Sequence, residues 1–493
     1  TPENLIASEW IKSRFERLGL APAVPGYFQA YNLMTVALGE PNALEVVQGG
    51  QSTPIAHGEG WYTHRFSATT RARAGVAFAG YGIQSSDPVH DDYRVADVVR
   101  GRIVLVVDHE PGERDQASPF DGVVTFDRAG QLRKAQAAQA AGAVGILFVS
   151  DVHNHPGGGA NVTARTWTAQ PSRLGSYSLE AWMSSIRIPA AQISAEIAGR
   201  LVAGTGRTLD DLSRSADTPG GVAALPLPGV EVQLTTAVTR TPVPDRNVLA
   251  KIEGSDPRLR DEWIVISAHF DHDGATATQI LNGADDDGSG TVGLLEIAEA
   301  YAIAAQQGRR PRRSILFAAF NSEERGLLGA WAYTTQPVAP LDRVVAALNM
   351  DMIGRNEEVP APAEGRGGRG GRFNGLDPQT AESNANAMNV IGSVRSPDLK
   401  AAIDRANATK LEIKYRYDNN VSQLLRRSDH WPFIQHGIPG VWFFTGLHPD
   451  YHQAGDRPER INYEKMERIL KLIHQLSWDL ANADARPKLL PRK

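Results

Sequence analysis

Strand-length apolar runs in this chain repeatedly end on a histidine or a carboxylate. WIVISAH closes on His269, SILFAAFNSEE on Glu323 and Glu324, VVAALNMD on Asp351, and GVWFFTGLHPDYH leads to His452. Asp286 falls between the first two, inside NGADDDGSG. Helical patterns separate the runs: one from Ser289 to Gln307, a short one after Gly326, one over 397–408, and a last one from near Asn462. Strands alternating with helices predict an α/β fold, a mixed, mostly parallel sheet with helices on both faces. Side chains leaving strand ends in such a sheet gather at one edge. The placement therefore reads as a centre for divalent metal.

The chemistry follows from the residue types. The chain has no cysteine, which excludes thiolate zinc sites and disulfide scaffolds and leaves His, Asp and Glu as ligands. Catalytic zinc accepts those donors and keeps a position open for water or substrate. Two such ions roughly 3.5–4 Å apart can share one carboxylate and one hydroxide. That arrangement needs one bridging carboxylate, then a His and a carboxylate for each ion. His269, Asp286, Glu324, Asp351 and His452 supply the set, and hydrolysis of a peptide bond by a metal-bridging hydroxide is the reaction it suits. Glu323, adjacent to a ligand but pointing elsewhere, is left to act as general base. Asp271, two residues after His269, is expected to accept the other imidazole N–H and fix its tautomer. Ser428, Asp429 and His430 cannot form a hydrolase triad, because consecutive residues do not converge. A place near the pocket and a helix-cap cluster both stay open for them.

A chain of 493 residues is too long for one ordinary core. With 42% hydrophobic and 22% charged residues it is globular rather than disordered. The net charge of −5 is spread along the chain and gives no footprint for nucleic acid. Apolar runs fall short of a membrane span. The expected division is 1–64 and 241–493 for a catalytic domain, with 65–240 as a β-rich insert. The chain opens TPENLIASEW, and the expectation is a secreted or periplasmic protein with its signal peptide removed. The first helix is expected to bury Leu5, Ile6, Trp10, Phe15 and Leu18. VPAPAEGRGGRGGRFNG, 359–375, reads as a flexible surface loop rather than an RNA-binding tract. His153, Asn154 and His155, in HNHPGGG, read as a solvated glycine-rich loop rather than a metal or nuclease triplet.

Two resemblances add to this. GYGI, DDY, GRIVLVV, KAQAAQAAGAVGILFVS and IPAAQIS, in that order, resemble the protease-associated domain, a non-catalytic insert of several peptidases. SAHFDH, NGADDDGSG, NSEERGLLGA, NMDMIG, SDHWPF and HPDYHQAGD resemble the co-catalytic di-zinc aminopeptidases, which include bacterial leucyl aminopeptidases and, more distantly, glutamate carboxypeptidases. The second resemblance implies a zinc exopeptidase fold, peptide substrates and two Zn²⁺ per chain. It makes Asp286 the bridge, pairs His269 with Asp351 on one ion and Glu324 with His452 on the other, and implies a cis peptide between Asp286 and Asp287. Gly288 departs from the family's usual Ala. Aminopeptidase action is the favoured reading. The alternatives are a carboxypeptidase, with Arg355 or the loop arginines gripping a carboxylate, and a non-catalytic receptor-like relative, which retention of every ligand and Glu323 argues against. The sequence leaves the oligomeric state open.

Overall fold

The computed structural model describes residues 2–157, 162, 167, 176–361 and 371–492. It divides into two compact units, Thr1–Tyr31 with Pro244–Leu490, and Asn32–Val243 with Pro491–Lys493. The expected boundary at residue 64 is therefore wrong. Strands Ala43–Gln48 and Trp61–Thr63 pair with Leu225–Thr236 and Ala190–Ile193, inside the second unit's sheet. Local alternation marks such segments as strands but carries no information about which sheet takes their hydrogen bonds.

In the first unit the strands lie in the order Val238–Ile252, Ser314–Phe320, Trp263–His269, Val344–Met350, Gly440–Phe444, Ala387–Ile391 and Glu412–Lys414. The four from Ser314–Phe320 to Gly440–Phe444 run parallel to one another. Val248–Ile252 and Ala387–Ile391 close this parallel centre with antiparallel pairings. Apart from half-buried Trp263, its strands are buried along their whole length because both faces are covered. Ile264, Ile266, Phe317 and Leu348 face helices Gly290–Gln306 and Tyr463–Asn482, through Leu294, Tyr301, Ile469 and Ile473. Val265, Leu316, Ala318 and Phe320 face the other way, toward Tyr333 and Phe433. Alternate residues thus feed two cores, which explains runs with no polar interruption.

The first helix, Pro2–Arg17, buries Ile11 and Phe15, whereas Leu5, Ile6 and Trp10 are exposed. The face expected from the sequence was rotated, since Ile11 and Phe15 are the true one-turn pair. The last helix buries Met466, Ile469, Ile473 and Leu480 as its apolar spacing predicts, while Leu470, expected with them, is half-buried.

The second unit is a sheet in the order Gln51–Ile55, Ala43–Gln48, Leu225–Thr236, Thr70–Phe78, Ile103–Val107, Gly145–Val149, Ala190–Ile193, Trp61–Thr63. Thr70–Phe78 to Ala190–Ile193 form a parallel centre here too. Ile103, Leu105 and Val107 pack on one side, and Val104 and Val106 on the other. Of the arginine-rich segment, residues 362–370 lie outside the described residues, so the loop expectation does not extend to them here. At its start Val359 is buried and pairs with Gln379 by two backbone hydrogen bonds, so that end is not a free loop. Among the described residues no helix is long and apolar enough to cross a membrane.

Candidate metal centre

His269 is the last residue of its strand and stands in register with Phe320 on the neighbouring parallel strand. Glu323 and Glu324 follow Phe320 in a short 3-10 turn, and Asp351 follows Met350 on the other side. The carboxyl ends of three adjacent strands therefore deliver their side chains to one edge, where open parallel sheets bind ligands. Asp286 arrives from the turn before helix Gly290–Gln306, and His452 from the loop beyond Gly440–Phe444.

The five expected ligands meet as two groups that share Asp286. On one side His269 Nε2 lies 3.3 Å from Asp286 Oδ1 and 3.7 Å from Asp351 Oδ1. On the other, His452 Nε2 lies 3.0 Å from Asp286 Oδ2 and 3.4 Å from Glu324 Oε2. Donors that bind one zinc tetrahedrally at about 2.0–2.1 Å stand roughly 3.3 Å apart, so both groups have suitable spacing. The two oxygens of one carboxylate serve different groups, which is the arrangement a bridge requires. Glu323 Oε2 is 3.9 Å from His269 Nε2, at the edge of the first group. The Asp286–Asp287 peptide is cis, as the resemblance implied.

Neighbouring carboxylates hold the frame. Asp287 accepts backbone N–H groups from His269, Gly290 and Met352 at 3.1, 2.9 and 3.1 Å. Gly290 has to be glycine, because a Cβ would sit 2.4 Å from the Asp287 carboxylate. Asp456 accepts the N–H groups of Asp285 and Asp286 at 3.0 and 3.2 Å. Ser428 donates to Asp351 Oδ2 at 2.5 Å and accepts from Asn349, so that residue of the Ser-Asp-His triplet orients a ligand. Asp429 makes no side-chain cap bond to the helix that follows, and the cap reading fails.

Asp271 corrects the expectation placed on it. His269 Nδ1 meets the backbone carbonyl of Asp271 at 3.1 Å, while the Asp271 carboxylate stands 3.6 Å away. That carboxylate instead accepts the N–H groups of Glu323 and Glu324, at 2.9 and 3.2 Å. Two converging amides outcompete one imidazole, and Asp271 becomes a positioning residue for Glu323 and Glu324. Two residues close to it were not expected. Asp273 Oδ2 lies 2.8 Å from His452 Nδ1, and His272 Nδ1 lies 2.9 Å from Glu324 Oε1. Both sit in SAHFDHDG, where several polar residues follow one another and spacing alone does not choose among them.

Left-handed backbone at Ser322, Leu327, Met352 and His452 surrounds the same edge, each a non-glycine residue with φ near 60° or slightly less. Such conformations cost about 1–3 kcal/mol each and cluster at functional sites.

The electrostatics call for cations. Burial pushes the Glu323 carboxyl well above its ordinary range, with Asp351 and Glu324 adding to it. Burial and the Asp286 charge raise Glu324 to about 7. Burial opposes charge on His452, but hydrogen bonds to Asp273 and Asp286 prevail and lift it to about 10. Protons thus do what divalent ions would do, and ligands must shed them to bind metal. His269 Nε2 is buried and makes no hydrogen bond, as an atom reserved for a metal would be. The donor set fits zinc.

The cavity over this edge is lined by Asp286, Glu323, Glu324 and Asp351 on its floor and by Leu327, Met352, Trp442, Leu447, Arg427 and Tyr451 on its walls. Arg427 donates to the Tyr451 hydroxyl at 2.9 Å. Sequence reasoning missed both, because they lie on loops without a pattern. Arg355, considered as a grip for a chain end, is instead paired with Asp450 at 3.1 Å.

Residues 247–477 match the model of peptidase family M28, and residues 70–201 match that of the PA domain. A probable zinc metalloprotease of Pyrenophora tritici-repentis is 30% identical over 280 residues, covering 50% of this chain and 54% of that protein. A probable glutamate carboxypeptidase of Arabidopsis thaliana is 30% identical over 215 residues, covering 43% of this chain and 26% of that one. The chain spans about half the length of the first curated relatives it matches. Among solved structures, an aminopeptidase from Aneurinibacillus aligns over 100% of this chain and 91% of its own, with 16% identity and a TM-score of 0.45.

Asp273 orients a ligand without being placed among the ligands itself. Replacing it with Ala is expected to weaken zinc binding at the His452 group by about 10–100-fold. Competition against a chromophoric chelator measures this, and unchanged affinity for every ion would contradict it.

Proposed function

We propose, for a chain whose residues 247–477 match the model of peptidase family M28, that it is a two-zinc exopeptidase acting at the amino end of peptides. The observation that carries this is Asp286, set with one oxygen toward His269 and Asp351 and the other toward His452 and Glu324. When bound there, zinc supplies Lewis acidity toward a carbonyl oxygen and makes water acidic enough to attack at neutral pH. The remaining work belongs to the chain. Glu323, buried and held through its own N–H by Asp271, takes the proton of the attacking water and returns it to the leaving amine. Arg427 and Tyr451, on the cavity wall, are available to hold the substrate's backbone oxygen. Apolar Leu327, Met352, Trp442 and Leu447 exclude water from the side chain next to the scissile bond.

The direction of cleavage follows from charge. Asp286, Glu323, Glu324 and Asp351 line the floor, and Asp271, Asp287 and Asp429 are buried close behind. So many carboxylates favour a substrate end bearing an ammonium over one bearing a second carboxylate. A carboxypeptidase reading keeps one observation in its favour: Arg426 and Arg427 also line the cavity.

Replacing Glu323 with Gln is expected to lower kcat by about 10²–10⁴ while bound zinc stays nearly constant, because a proton acceptor is lost and not a ligand. Near wild-type kcat, or loss of both ions, would contradict that role. A dipeptide compared with its N-acetylated and C-amidated forms reads the direction. Acetylation is expected to abolish cleavage and amidation to be tolerated. The reverse pattern would replace the aminopeptidase reading with the carboxypeptidase one.

A further inference from the structure

The second unit holds another set of metal-type donors, assembled by the same geometrical rule. Strands Ile103–Val107 and Gly145–Val149 are adjacent and parallel, with Val107 opposite Val149. The loops that leave their carboxyl ends carry His109 and Glu113 in one case and His155 in the other. Glu113 stands between the two imidazoles. Its Oε2 is 3.0 Å from His109 Nδ1 and its Oε1 is 2.5 Å from His155 Nε2. The rings stack with centroids 4.2 Å apart and an interplanar angle of 26°. One donor atom from each residue lies within 4.8 Å of the others. Glu113 Oε1 and His155 Nε2, which face each other, are both buried.

Both loops are built for rigidity. Buried Lys134 donates to the carbonyls of Val107 and His109 at 2.8 and 2.6 Å. Asp217 accepts the N–H of Gly112 at 2.6 Å. On the second loop, buried Asp151 accepts from the N–H groups of His153 and Asn154 and from the Tyr81 hydroxyl, the last at 2.6 Å. His109 is held in left-handed backbone at φ 67°, a conformation that a non-glycine residue keeps only when its surroundings impose it. Rigid loops with a fixed donor set are what a metal site requires and what an incidental surface ion pair does not.

We propose that His109, Glu113 and His155 bind one zinc-like divalent transition ion that clamps the two loops of this unit. Two imidazole nitrogens and the Glu113 carboxylate match zinc's preferences, with water in the fourth position, and the Glu113 and His155 donors, 2.5 Å apart, separate by roughly 0.8 Å to take an ion between them. The partial exposure of His109 and His155, 45% and 36%, leaves a path for the ion to enter. His155 thereby leaves the solvated-loop reading given to HNHPGGG, whereas His153 stays outside the set, about 4 Å from Asp210 and Asp217. The competing arrangement is an ion pair in which a proton on His109 takes the place of the metal and Arg114, 3.7 Å from Glu113, shares the carboxylate.

The full-length protein is stripped with a chelator, reloaded with Zn²⁺ alone, freed of excess by gel filtration and analysed for metal. The wild type is expected to retain one zinc more per chain than the H109A/H155A variant, with equal turnover of a small chromogenic peptide substrate. E113Q, which keeps the shape of the side chain, is expected to lose the same ion and guards against misfolding of the double variant. Added Zn²⁺ is also expected to raise the thermal midpoint of the wild type more than that of either variant. Equal zinc content in all three proteins would overturn the site and leave an ion pair only. The comparison is a difference between variants, so it holds whatever metal the first unit retains.

Discussion

A single carboxylate shared between two imidazoles is the contact on which the rest of the first unit depends. Asp286 meets His269 through one oxygen and His452 through the other. Four carboxylates on one cavity floor repel one another, and burial raises the cost of charging each. Cations make the cluster stable, and until they bind, protons substitute for them. The raised values at Glu324 and His452 express that demand. The site stores an affinity for divalent metal in its arrangement of charge.

Holding such a cluster open takes a second layer, and the chain builds it from further aspartates directed at backbone amides. Asp271, Asp287 and Asp456 each accept from two or more N–H groups of residues that carry or flank a ligand. These carboxylates direct their oxygens at amides, whereas Asp286, Glu324 and Asp351 direct theirs at imidazoles, and this separates the frame from the candidate ligands among chemically identical side chains. Gly290 allows the helix start to approach Asp287, and left-handed backbone at Ser322, Leu327, Met352 and His452 turns the ligand loops inward. The second unit repeats the plan in miniature, with Lys134 and Asp151 as its frame.

What the sequence made legible is what strands make periodic. His269, Glu323, Glu324 and Asp351 could be read because each ends a run buried on both faces, and strand ends in a parallel sheet have a predictable destination. Asp286 and His452 needed the resemblance to fix their partners. The misses share a physical origin. Asp271 and Asp273 differ in role only through which loop amide or imidazole comes near, a tertiary fact with no periodic signature. Arg427 and Tyr451 reach the cavity from irregular loops. The strands between residues 43 and 63 were recognisable as strands, yet their sheet is chosen by pairing with segments more than a hundred residues away. His155 looked solvated because its partner Glu113 comes from another strand end.

Zinc-edge anomalous diffraction from crystals of the zinc-loaded protein shows whether Asp286 is shared between two ions. The account predicts two peaks in the first unit, roughly 3.5–4 Å apart, with Asp286 between them. His269 and Asp351 should flank one peak, and His452 and Glu324 the other. A single peak, or two that do not share Asp286, would contradict it.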